Sequence, residues 1–186
     1  MEVNFFMMKT LIIFRGVPGS GKTTKACELV SELSNKETVA YSCRDDFRKE
    51  IIERWWEMGE DFNIPDARIK SLEHEFDEWL EILYHESFKI EWINSKIKRM
   101  WWREVRDLVL SDYEVVVLDS TFINVEDLIN LHDLIVISDR ISICYETTKI
   151  YGSTHNIPKE VVEHYKKGLL KTRNFIQKIV NRYEFI

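Results

Sequence analysis

Residues 16–23 read Gly16-Val17-Pro18-Gly19-Ser20-Gly21-Lys22-Thr23, a glycine-rich turn that closes on a lysine and a hydroxyl residue. The octet has the spacing G-x-x-x-x-G-K-[ST], and it constrains the fold more than any other feature of the chain. Glycines let consecutive backbone N–H groups turn inward around phosphate oxygens. The arrangement works best where a strand ends and a helix begins, because the helix N-terminus adds partial positive charge. Both neighbours are present. Residues 10–14 are a short apolar run that reads as a buried parallel strand, and Ala26, Leu29, Val30 and Leu33 recur at helical spacing. At average composition such an octet arises by chance in roughly one chain of this length in a hundred and fifty.

The rest of the chain repeats the junction. Residues 38–43 are rich in β-formers and read as a second strand; Arg44, Asp45 and Asp46 follow, then a helix beginning near Phe47. From there the composition turns strongly acidic. Ile69, Leu72, Phe76, Trp79 and Leu83 share one helical face, and Ile90, Ile93, Ile97, Trp101, Val105 and Leu108 mark another. Residues 49–110 therefore read as a helical insertion between strands two and three, broken near Asn63-Ile64-Pro65. Residues 115–118 are an aliphatic run ending at Asp119, the clearest central strand. Residues 125–137 read as a helix, 141–145 as a fourth strand and 152–156 as a polar loop, with Pro158 suited to the first turn of a long C-terminal helix. This alternation predicts an α/β fold: a central parallel sheet of about four to five strands flanked by helices, in one domain over residues 1–186. Sheets of this type bind ligands at the carboxyl ends of their strands.

The chemistry-bearing residues fall at those ends. Lys22 is placed to reach the outer phosphates of a nucleotide, and the Thr23 hydroxyl to bind Mg²⁺. Asp119 closes an apolar strand and has the form of a carboxylate that holds Mg²⁺ or orients a neighbour, or else of a plain turn aspartate. Asp45 and Arg48, one helical turn apart, could supply a base and a cation to an acceptor hydroxyl. Asp45 or Asp46 could equally be only an N-cap.

Composition narrows the setting. The chain has 186 residues and a net charge of −6, so any nucleic-acid contact must rest on a local basic surface. Three scattered cysteines, Cys27, Cys43 and Cys144, suggest neither a disulfide framework nor a zinc site, and point to a reducing, cytoplasmic compartment. No apolar stretch approaches membrane-spanning length, so no membrane partner is expected. Residues 1–7 read as an extension before the first strand.

Taken in order, Gly16 to Thr23 with Thr24, then Ser42-Cys43-Arg44-Asp45-Asp46-Phe47-Arg48, then Val115-Val116-Val117-Leu118-Asp119-Ser120-Thr121, the motifs resemble the bacteriophage-type polynucleotide 5′-kinase family. The resemblance covers residues 10–48 and 113–124. It implies a P-loop NTPase kinase fold, ATP and Mg²⁺ as cofactors, and transfer of the γ-phosphoryl group to the 5′-hydroxyl end of DNA or RNA. It further implies Asp45 as general base, Arg48 as the residue holding the acceptor phosphate, and Asp119 as the carboxylate orienting that arginine. Residues 16–24 would bind nucleotide. The family's lid carries an arginine; the equivalent stretch here, 147–158, has none, so either Lys149 substitutes, or an arginine arrives from elsewhere, or the lid works weakly. The insertion is also longer than the family's usual helical region. A nucleoside, nucleotide, small hydroxyl metabolite or hydroxymethylated DNA base is therefore the alternative acceptor, and an ATP-binding regulatory module with weak catalysis is a third reading. At this length no added phosphatase or ligase module is expected within the sequence.

Six tryptophans include the pairs Trp55-Trp56 and Trp101-Trp102, the second lying among Lys96, Lys98, Arg99, Arg103 and Arg106. Aromatics among cations can stack bases and pair phosphates. The alternative puts Trp101 in the core, Trp102 against a neighbour and the cations on a solvated face. Lys166, Lys167, Lys171 and Arg173 form a second basic stretch near the C-terminal helix, and His74, His85, His132 and His164 lack metal-ligand spacing.

Overall fold

The computed structural model describes residues 9–58, 76–149 and 159–186, the side chains of 76–80 excepted. These residues form two compact units, one comprising the chain up to Cys43 together with Val105 onward, the other Arg44–Glu104. The strands are β1 (Thr10–Arg15), β2 (Val39–Cys43), β3 (Val115–Asp119), β4 (Ile141–Glu146) and β5 (Arg182–Phe185). The described helices are α1 (Lys22–Leu33), α2 (Arg44–Glu57), α3 (Phe76–Ser87), α4 (Glu91–Leu110), α5 (Val125–Ile137) and α6 (Lys159–Ile179).

All of the described strands lie in the first unit, in one parallel sheet of order β2-β3-β1-β4-β5. The sequence explains the order. Every residue of β3 is buried, as expected of an interior strand with helices on both faces. Side chains of β1 alternate: Ile12 and Phe14 pack with Ala26, Leu29, Val30 and Leu33 of α1. Arg15 points to the opposite face, where it meets Leu169 and Thr172 of α6. The register sets Phe14 level with both Asp119 and Tyr145, and Arg15 level with Glu146, so the carboxyl ends of β1, β3 and β4 come together.

Two expectations change. The chain does not finish on a helix: β5 adds a parallel edge strand beside β4. And α2 begins at Arg44, directly after β2, rather than near Phe47. Asp45 and Asp46 thus sit inside the first helical turn, where they complement the helix dipole, and are not N-caps.

In the second unit, Phe47, Ile51, Ile52 and Trp55 of α2 are buried, as are Leu83 and Tyr84 of α3 and Ile93, Ile97 and Trp101 of α4. The spacing of four along α4 makes one continuous apolar stripe. Trp101 is fully buried; Arg44 lies over its ring at 4.4 Å, and Trp102 packs edge-on against it at 5.0 Å. The break near 63–65 and the positions Ile69, Leu72, 152–156 and Pro158 lie outside the described residues, as do residues 1–7.

Arg140, just before β4, has a structural role. It is buried, and it donates from Nε to the Val109 carbonyl (2.6 Å) and from Nη2 to that of Ser111 (3.0 Å), closing the end of α4. Among the described residues, no helix is long and apolar enough to cross a membrane.

Candidate phosphate-binding site

The loop between β1 and α1 has the conformation that its glycines permit. Gly19 (φ 75°) and Gly21 (φ 78°) occupy the left-handed region, which side chains with a Cβ rarely adopt. Gly21 is the N-cap of α1, and no acidic residue occupies the first turn, so nothing negative competes for the helix N-terminus. Lys22 opens the helix and is buried, whereas Thr23 and Thr24 are exposed. Gly16 has no room for a side chain: a Cβ there would stand 1.9 Å from Thr147 Oγ1 and 2.5 Å from Ser20 Oγ.

Thr23 and Asp119 meet. The Thr23 hydroxyl donates to Asp119 Oδ2 at 2.5 Å, joining the start of α1 to the end of β3. Tyr41 of β2 donates to the same oxygen over 3.4 Å. Burial pushes the Tyr41 phenol well above its usual range, with Cys43 and Asp119 adding to the effect, so it remains a neutral donor. Asp119 itself is buried. A hydroxyl and a carboxylate side by side at the mouth of a glycine cradle are the donor set a hard cation takes beside phosphate oxygens, so these residues fit Mg²⁺-nucleotide. Among the described residues there is no cluster of three or more His, Cys, Asp or Glu suited to a metal ion.

The chain after β4 supports the cradle from behind. Thr147 N donates to the Arg15 carbonyl at 3.0 Å, and Thr147 Oγ1 lies 2.5 Å from Ser20 Oγ, both side chains being buried. One residue earlier, Glu146 gathers three partners. Arg15 Nε lies 3.4 Å from its Oε2, Arg173 of α6 donates to Oε1, and the Tyr183 hydroxyl of β5 donates to Oε2. Hydrogen bonding to Glu146 pushes the Arg173 guanidinium up, and burial does the same to the Tyr183 phenol. Sequence reading did not reach this network. The only visible sign was an arginine ending an apolar strand immediately before the glycine turn.

Asp45 and Arg48 belong to the other unit, in the first turns of α2. Asp45 is half-buried and Asp46 exposed. Arg48 is buried, with Nη1 donating to Ser87 Oγ (2.9 Å), Nη2 to Asn94 Oδ1 (2.6 Å), and its guanidinium 3.8 Å from the Phe88 ring centre. Lys149 is exposed, and residues 150–158 after it lie outside the described residues. Arg173, from the second basic stretch, is committed to Glu146, and Lys166 pairs with Glu163 along α6.

No protein-family model matches the sequence, and no curated protein sequence matches it. Solved structures do match. The Pnkp1/Rnl/Hen1 RNA repair complex aligns with TM-score 0.54 and 16% identity, over 94% of this chain and 48% of that one. Kti12 of Chaetomium thermophilum, in complex with ADP-AlF3, aligns with TM-score 0.51 and 12% identity, over 95% of this chain and 88% of that one. This chain therefore spans about half the length of its counterpart in the repair complex. Likeness at these identities shows the fold: the chain has the P-loop kinase fold.

Proposed function

We propose that this protein is an ATP- and Mg²⁺-dependent kinase that transfers the γ-phosphoryl group to a hydroxyl, with the 5′-hydroxyl end of DNA or RNA as acceptor. The observation that carries the proposal is the Thr23–Asp119 hydrogen bond at the mouth of the glycine cradle. Lys22 and the backbone N–H groups along residues 16–24, Pro18 excepted, would hold the phosphates, and Thr23 and Asp119 would hold the cation. Bound there, Mg²⁺-ATP supplies the phosphoryl group and neutralises the charge that builds up during transfer. Asp45 takes the proton of the attacking hydroxyl, early or late in the transfer. Arg48 and Lys149 are the cations for the acceptor's and the transferring phosphates. A pure nucleotide binder has no need of Asp45, Arg48 and Asp119 together. The RNA repair complex among the structural neighbours agrees with a polynucleotide acceptor.

One observation favours a second acceptor class. Arg48 already donates through both Nη atoms to Ser87 and Asn94, which suits a positioning role as well as direct phosphate binding. A small hydroxyl compound would not need that arginine. A panel of acceptors separates the two readings: 5′-hydroxyl DNA and RNA oligonucleotides, free nucleosides, nucleoside 3′-phosphates and hydroxymethylated DNA, each with γ-labelled ATP and Mg²⁺. Label at oligonucleotide 5′ ends supports the first reading. Label only on small compounds or on internal bases supports the second. ATP binding with no label anywhere would sink both and leave a regulatory module.

A further inference from the structure

The tryptophan pair most conspicuous in the sequence is not the aromatic surface that the fold exposes. Trp101 is fully buried, whereas Trp92, on the same helix, is 46% exposed. Trp92 is braced from within its unit. The buried Trp55 ring lies 6.5 Å away and nearly parallel (22°), and Lys96 Nζ sits 4.3 Å from the Trp55 ring centre and 5.9 Å from that of Trp92. One side of the Trp92 indole is therefore held in place while nearly half of the residue meets solvent.

Along α4 the residues above Trp92 are Lys96, Arg99 and Arg103, at successive offsets of four, three and four. That spacing keeps all of them on one helical face. The buried residues Ile93, Ile97 and Trp101 define the opposite face, so the stripe points away from the core. Arg99 and Arg103 are exposed, and neither has an ion-pair partner among the described residues. No acidic residue lies on the stripe from Trp92 to Arg103, in a chain whose net charge is −6. At about 1.5 Å of rise per residue the stripe is about 16 Å long.

We propose that this face of α4 is a docking surface for single-stranded polynucleotide, with a base stacked on Trp92 and successive phosphates paired with Arg99 and Arg103. Aromatic faces accept any base, and guanidinium groups in a row follow a backbone without reading its sequence. Lys96 fixes the tryptophan and adds charge beside it. Duplex DNA is a poor fit, since its bases are paired and offer no open face to an indole. The inference rests on the kinase reading only in naming the strand as the acceptor; the binding itself can be measured without catalysis.

The test uses the full chain and a single-stranded oligonucleotide with a 5′-hydroxyl and a 3′ dye, read by fluorescence anisotropy across a salt series. Trp92→Ala should weaken binding about ten-fold with little change in salt slope, and Trp92→Phe should recover most of the loss. Arg99→Ala with Arg103→Ala should lower the slope of log K against log salt by about 1.4, at about 0.7 for each phosphate contact on a single strand. Lys178→Ala, an exposed cation on α6, is the control and should change neither quantity. Unchanged binding in both sets of α4 variants, an equal loss in the control, or tighter binding of the matching duplex would overturn the inference. The two claims fail separately. Salt-dependent binding without phosphoryl transfer to any end removes the kinase reading and keeps the surface. Transfer to oligonucleotides with wild-type KM in the α4 variants removes the surface and keeps the kinase.

Discussion

Replacing Glu146 with glutamine should destabilise the protein by about 3–5 kcal/mol, the usual cost of removing one partner of a buried ion pair. The structure shows why the loss is not confined to one contact. Glu146 and Arg15 are essentially inaccessible, at 2% and 0% side-chain exposure, while Arg173 keeps 28% and can turn to water. Without the carboxylate charge, Arg15 stays in the interior as a cation facing neutral acceptors, the Leu169 carbonyl (3.2 Å), the Thr172 hydroxyl (2.9 Å) and the new amide. Its Nη1 has no hydrogen-bond partner among the described residues. For a chain of this size each kcal/mol shifts Tm by about 2–4 °C, so the variant should melt about 6–20 °C lower. Urea unfolding followed by circular dichroism gives the free energy directly. A double-mutant cycle locates the cause: Arg15→Met combined with Glu146→Gln should lose less than the sum of the single changes, by about 1–3 kcal/mol. A loss below about 1 kcal/mol for Glu146→Gln, or strict additivity with Arg15→Met, would refute the claim that this pair holds the end of β4 to the cradle.

Three further outcomes follow from the same geometry. Gly16→Ala should weaken ATP binding at least ten-fold by calorimetry, because its Cβ would collide with Thr147 Oγ1, and adding Thr147→Ala should recover part of the loss. Thr23→Ala should reduce the Mg²⁺ dependence of nucleotide binding, with apparent Mg²⁺ affinity falling about 10- to 100-fold, measured with a fluorescent ATP analogue. A thiol reagent should label Cys27 quickly in the native protein and reach Cys43 and Cys144 only on unfolding; Cys27 is exposed, the other two are buried, and burial pushes the Cys144 thiol up to about 12.

What the sequence made legible was what local pattern controls. The β1–α1 turn could be read because its glycines have no substitute at left-handed φ, and β3 because five consecutive buried positions need an unbroken run such as Val-Val-Val-Leu-Asp. The helix Val125–Ile137 was legible from its apolar spacing. What escaped depended on contacts distant in sequence or on polar edges. β5 is Arg-Tyr-Glu-Phe, half-exposed at the sheet edge, and its alternation of charged and aromatic residues spans only four positions, too few to distinguish it from a loop. The start of α2 was misplaced because Arg44-Asp45-Asp46 reads as a polar loop, although acidic residues are favourable in a first turn. The Glu146 network joins Arg15, Arg173 and Tyr183 across the whole first unit, and no sequence period reports it. Trp92 was within reach of helical spacing, but only once Ile93, Ile97 and Trp101 had fixed which face of α4 is buried.

The central claim is hydroxyl phosphorylation with Asp45 as base, and Asp45→Asn tests it most directly. Wild type and variant would be compared for ATP affinity and for transfer of label from γ-labelled ATP to a 5′-hydroxyl oligonucleotide. A general base contributes about 10²–10⁴-fold, so the variant should bind ATP within about two-fold of wild type while transfer falls by at least a hundred-fold. Transfer at the wild-type rate in Asp45→Asn would contradict the assignment, and wild-type protein that binds Mg²⁺-ATP yet labels no hydroxyl would contradict the kinase itself.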